Sequence, residues 1–158
     1  MPIVGLGPSC LFSLRDEFTV MAGVGDRLKG ALLFEEFLAQ NPGKLKFKAT
    51  DQQVLLHGHC HQKAFDVMPA VEKVLGMVPG LKVSTVQTSC CGMAGSFGYE
   101  AEHFDVSMKM AELSLLPAIR DSSAKTLVVA DGTSCRHQIA DGTGRDAVHV
   151  ARLLESAL

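Results

Sequence analysis

Residues 127–135, LVVADGTSC, run from an apolar segment of strand length into a Gly-x-Ser-Cys turn, and the chain continues as a helical segment. Residues 3–10, IVGLGPSC, repeat that order of apolar strand, Gly-x-Ser-Cys and helix. Internal similarity of this kind marks a duplicated unit. The expected organisation is the tail of a first copy followed by a complete second copy, which makes the chain a segment of a longer polypeptide.

Outward from these stretches, strand and helix signals alternate. Residues 53–56 are an apolar run ending at His57, and residues 81–87 are another strand. Residues 44–48 alternate as a half-exposed strand does. In 63–77, Phe65, Met68, Val71 and Leu75 keep helical spacing, and Pro69 implies a kink or a late start. Phe104, Met108, Ala111 and Leu115 put one apolar stripe on a single long helix over 99–119. The closing helix, 149–158, turns Val150, Leu153, Leu154 and Leu158 inward. Between Cys10 and residue 41 the pattern fits two helices separated near Gly23 and Gly25, with Leu28, Leu32, Leu33, Phe34 and Phe37 on one face. The charges of the RDEF and EEF stretches read as solvated faces. The whole predicts a single α/β domain over 1–158, a mainly parallel sheet flanked by helices.

Composition narrows the function classes. A chain of 158 residues, 47% hydrophobic and 20% charged, can bury one substantial core. Fifteen Lys and Arg against seventeen Asp and Glu, a net charge of −2, include no basic block to follow a phosphate backbone, so nucleic acid is not an expected partner. No apolar run reaches the roughly 18 residues of a membrane span, and a secretory leader is not evident. The expected location is cytoplasmic, with docking onto a membrane partner as the one route to a membrane. The five cysteines are odd in number and two are neighbours, a poor pattern for a disulfide framework and a better one for ligation or redox chemistry.

Each cysteine follows the C-terminal end of an expected strand: Cys10, Cys60, the pair Cys90 and Cys91, and Cys135. In an open α/β sheet those ends share one edge, where ligands bind. Cys60 lies within HGHCHQK, so His57, His59 and His61 bracket it; imidazole and thiolate together suit zinc or iron. In extended backbone the three histidines would face away from Cys60, so one or two at most are expected ligands, His59 or His61, and either can instead cap a helix. Lys63 is expected to favour thiolate. The glycines of GMAGSFG, Gly92 and Gly95 among them, leave room for a bulky group and free backbone N–H groups to donate to sulfur. Their spacing is not that of a dinucleotide fingerprint. Arg136 and His137 stand where they could orient an anion or neutralise a cluster. Cys10 taken alone is equally well read as a small core hydrophobe, and His103 and His149 as surface or helix-end residues.

Taken together, GPSC with RDEF, HGHCHQK, SCCGMAGSFGYE and DGTSCRHQI resemble the cysteine-rich CCG domain family. That family includes the heterodisulfide reductase B subunit, the iron–sulfur subunits of glycolate and glycerol-3-phosphate dehydrogenases, and the C-terminal part of FAD-linked oxidases of the D-lactate or D-2-hydroxyacid dehydrogenase type. The resemblance implies an α/β domain holding a 4Fe-4S cluster or zinc, with Cys60, Cys90, Cys91 and Cys135 as one unit's ligands and Cys10 as the last of another's. Where the family pattern has C-x-x-C, this chain has Gly132-x-x-Cys135, and Gly7-x-x-Cys10 echoes it. A smaller zinc or iron site, or a cluster completed by Cys10, stays open.

The expected function is an iron–sulfur or metal-binding redox module that relays electrons from FAD, held in an upstream domain of the same enzyme, to an acceptor such as a membrane quinone. FAD-binding and ferredoxin-like domains are the implied partners, and the chain alone is expected to show no turnover. The alternatives are a structural zinc module without electron transfer and a metal-free thiol redox site.

Overall fold

The computed structural model describes residues 2–21, 28 and 30–158. Its sheet is built from four parallel strands, β3 (Gln53–His57), β4 (Lys82–Thr85), β5 (Leu127–Ala130) and β6 (Ala147–Val148), in the order β4-β3-β5-β6. Two shorter strands, β1 (Val4–Gly5) and β2 (Leu32–Leu33), form a separate parallel pair. The parallel α/β architecture expected from the alternation is present.

Strand order places the site. The chain leaves β3 for β4 on one side, then returns past β3 to β5 on the other. The carboxyl ends of β3 and β5 therefore flank a topological switch point, where neighbouring connections diverge and leave a crevice.

The helices are α1 (Pro8–Arg15), α2 (Glu17–Met21), α3 (Phe34–Gln40), α4 (Cys60–Ala64), α5 (Met68–Leu75), α6 (Phe104–Glu112), α7 (Leu115–Asp121), α8 (Thr133–Thr143) and α9 (Val150–Ser156). Alternation along β5 divides the core between the two faces of the sheet. Leu127 and Val129 pack with Val54, Leu56, Val71, Leu75 and Leu154, while Val128 and Ala130 pack with Leu115, Ile139 and Cys135. Each fully buried Leu or Ile contributes on the order of 2 kcal/mol.

The internal similarity extends into three dimensions. Strand, helix, strand, helix recurs as β1-α1-β2-α3, with α2 added after α1, and β5-α8-β6-α9, with β1 parallel to β2 and β5 parallel to β6. Both Gly-x-Ser-Cys turns place the glycine at the N-cap, Gly7 of α1 and Gly132 of α8, and the cysteine in the first turn.

Several expectations are corrected. Residues 44–48 form no strand, and the Lys48 N–H donates to Ala157 O at the end of α9. The long helix over 99–119 is a 3-10 turn (Phe97–Tyr99), α6 and α7, because Pro117 lacks an N–H and its ring would crowd the carbonyl four residues earlier. A restart at Leu115 puts Pro117 in a first turn, and Ser107 and Ala111, not Phe104, face inward on α6. Leu32 and Leu33 are strand, not helix; α3 starts one residue later and buries Glu35, Leu38 and Ala39. The break near Gly23 and Gly25 lies outside the described residues. Pro69 does mark a late start, in the first turn of α5.

Candidate metal centre

Cys60 opens α4 just past β3, Cys90 and Cys91 follow β4, and Cys135 sits in the first turn of α8 beyond β5. The winding of the sheet draws them into one chain of interacting thiols: Cys60 with Cys90, Cys90 with Cys91, and Cys91 with Cys135, which also meets His57. Polar atoms of His57, Cys91 and Cys135 lie within 4.8 Å of one another, all three residues buried.

Protons are shared unevenly along this chain. Cys135 is pulled down to about 5, first by a hydrogen bond from Cys91 and then, against the cost of burial, by His57. Cys90 is strongly lowered by hydrogen bonds from Cys60 and Cys91, helped by backbone N–H groups; the Gly92 N–H donates to its Sγ at 3.3 Å. Cys91 is raised because it donates to Cys135 and Cys90, and Cys60 because it donates to Cys90. Two sulfurs lowered and two raised make a donor set whose chemistry suits a thiophilic cation.

His57 stands out in the sequence only as a neighbour of Cys60. Its Nδ1 lies 3.2 Å from Thr88 Oγ1, while its Nε2 is buried with no nitrogen or oxygen partner among the described residues and only sulfur beside it. A buried imidazole nitrogen with only thiol sulfur for company is poorly satisfied unless something binds it. It closes β3, pointing into the crevice that the strand order makes, and no local pattern in the sequence distinguishes it from His59 or His61.

His59 is engaged otherwise. Its Nδ1 accepts the His61 N–H at 3.1 Å, its own N–H donates to Gln62 Oε1 at 2.9 Å, and its ring is held neutral by burial. That leaves Nε2 beside Ser9 Oγ at 3.3 Å. His61 packs edge-on against Phe12 and His59. Cys10 is exposed, in the first turn of α1.

The supporting residues also have defined partners. Lys63 donates to Thr88 O at 2.5 Å and Ser89 O at 2.9 Å, so its charge fastens the backbone leading into Cys90; burial lowers its pKa. Arg136 donates through Nη1 to the carbonyls of Ala130 and Asp131 at the end of β5. His137 Nδ1 is 2.6 Å from Tyr99 Oη near the surface. Gly92 has φ +93°, and a Cβ there would strike Ser107 O, so the backbone approaches α6 closely at this point. Gly95 has φ +73° with open space around it. Gln138, which no motif in the sequence marks, is buried and donates to Cys91 O at 3.1 Å and to Ser107 O and Oγ, tying the cysteine pair to α6.

A parallel α/β module with a thiol and imidazole cluster at its switch point is the class that fold and site define. Comparison with known proteins agrees with it. The chain is 28% identical, over its whole length, to one of the subunits of anaerobic glycerol-3-phosphate dehydrogenase from Escherichia coli K12, and the match spans 41% of that polypeptide. It is 31% identical over 148 residues to D-2-hydroxyglutarate dehydrogenase of the same organism, and 28% identical over 156 residues to that of Pantoea ananatis, spanning 14% and 15% of those proteins. The resemblance read from the cysteine motifs is borne out: the chain is a homologue of segments of these dehydrogenase polypeptides. No protein-family model and no solved structure matches it. Among the described residues no helix is long and apolar enough to cross a membrane.

Proposed function

We propose that this chain is the cysteine-rich redox module of a larger flavin-linked dehydrogenase acting on a small hydroxy acid or a related alcohol, and that Cys60, Cys90, Cys91, Cys135 and His57 hold its metal group. The observation that carries the reading is the buried Nε2 of His57, which has no nitrogen or oxygen partner among the described residues and stands in a three-member set with Cys91 and Cys135. An orphaned imidazole nitrogen beside a thiol chain fits a thiophilic metal or an iron–sulfur cluster. When bound, an iron–sulfur cluster would supply one-electron chemistry at the mouth of the sheet, between flavin and acceptor. The chain's own residues orient that group: Gln62 and the His59 cap set the start of α4 and thereby Cys60, Lys63 sets the approach to Cys90, and Gln138 sets Cys91. The lengths of the relatives, more than twice that of the matched segment, support separate flavin-bearing regions as partners.

A second reading is a structural zinc site, favoured by the compactness of the His57, Cys91 and Cys135 set, which suits tetrahedral N/S ligation. Anaerobic purification with iron, sulfide and zinc analysis separates the two. Iron with acid-labile sulfide and reversible bleaching by dithionite supports the redox module; zinc alone, in a colourless protein, supports the structural site. A protein that takes up neither metal after reconstitution refutes both.

A further inference from the structure

Away from the thiols, Glu35 is a fully buried carboxylate with no hydrogen-bond partner on either oxygen among the described residues. It lies in the first turn of α3, where polar atoms of Glu35, Asp131 and His149 are all within 4.8 Å of one another. These residues come from separate parts of the fold: the β1-β2 layer with α3, the end of β5, and the start of α9. The trio is the seam where the two repeated halves meet.

Three groups surround the Asp131 side chain. Val150 N–H donates to its Oδ1 at 3.1 Å, Gln62 Nε2 to its Oδ2 at 2.7 Å, and His149 Nε2 lies 3.4 Å from Oδ1. His149 Nδ1 accepts the Ala151 N–H at 3.0 Å, so its proton is on Nε2, which also meets Leu6 O at 2.9 Å. A ring fixed in that tautomer has no lone pair for a cation, which argues against a metal at this trio despite its spacing. Two bare carboxylates cannot share such a site at low cost. The neutralising charge that remains is a proton.

We infer that Glu35 is a proton-bearing latch: neutral, it closes the β1-β2 layer onto the β5-α9 end of the sheet, and its ionisation loosens that layer. The consequence reaches the thiols, because the same layer carries Ser9, which touches His59 beside Cys60. Glu35 is raised from 4.5 to about 8, first by burial and then by Asp131, with Glu36 adding to the effect. Glu36 itself is paired with Arg15 at 2.7 Å, and Arg136 bonds the Asp131 carbonyl. Among the described residues, these and His149 are the charged and titratable groups around the latch on α1, α3, β5, α8 and α9. The inference is independent of which metal the thiols hold.

The sign follows from linkage. In the opened layer Glu35 ionises near 4.5 and in the closed one near 8, so closure is strongest below 4.5 and is lost as pH rises through about 8. Hydrogen exchange of the intact chain, corrected for intrinsic rates, tests it. Opening of β2 and α3 is expected to rise by about tenfold per pH unit within that window and to level off above it, while β3 and β5 keep their protection. Glu35→Gln, a neutral isostere, is expected to fold and to abolish the slope. The inference is overturned by a flat wild-type profile, by an unchanged slope in E35Q, by failure of E35Q to fold, or by added Mg²⁺ or Zn²⁺ abolishing the slope while Zn²⁺ binding at the thiols is matched in E35Q.

Discussion

Loading the thiol cluster with zinc is a perturbation whose proton count the structure sets in advance. Cys135 is pulled down to about 5 and Cys90 is lowered as well, while Cys60 and Cys91 are raised, so two of the four sulfurs are expected to carry protons near neutral pH. If Zn²⁺ takes all four sulfurs, two protons leave per ion. Each is worth about 1.36 kcal/mol per pH unit, so apparent affinity rises roughly a hundredfold per unit between pH 6 and 8. Calorimetric titration in buffers of different ionisation enthalpy reads the number directly. Cys91→Ser is expected to reduce it to one, since the removed thiol was a proton carrier. Release of four protons by the wild-type protein would mean four ordinary thiols and no hydrogen-bonded chain. Release of none would mean that the ion does not engage these sulfurs.

Two substitutions test the scaffold around the cluster. Gln138→Leu preserves volume but strips buried carbonyls at Cys91 and Ser107 of their donor, and should cost about 3 kcal/mol by urea unfolding; a loss under about 1 kcal/mol would show that water replaces the amide. Gly132→Ala would put a Cβ 2.5 Å from His59 Cδ2 and 2.8 Å from Cys135 Sγ, so metal affinity by chelator competition should fall about tenfold or more, and an unchanged affinity would refute the crowding.

How much of this was legible depended on the range of the signal. Strands β3, β4 and β5 announce themselves as apolar runs, and each cysteine stands a few residues past one of them, so the parallel sheet and the site's edge followed from local pattern. Helix phase was less secure. The EEF charges read as solvated because Leu32 and Leu33 were counted into a helix that in fact begins at Phe34; from the true start, Glu35 falls in line with buried Leu38 and Ala39. Ligand identity within HGHCHQK was least legible, since three histidines at alternate positions are locally equivalent until β3 ends at His57 and α4 takes His59 as its cap.

The amino-acid order alone determined the α/β class, the duplicated strand and Gly-x-Ser-Cys unit, and the kinship with dehydrogenase polypeptides, because these rest on periodicity and short motifs that survive without coordinates. Only tertiary structure decided which thiols perturb one another, that His57 lies beside Cys91 and Cys135, that Cys10 is exposed, and that Glu35 is sealed at the seam. Those facts depend on strand order and on the phase at which each helix begins, and both arise from contacts between residues far apart along the chain.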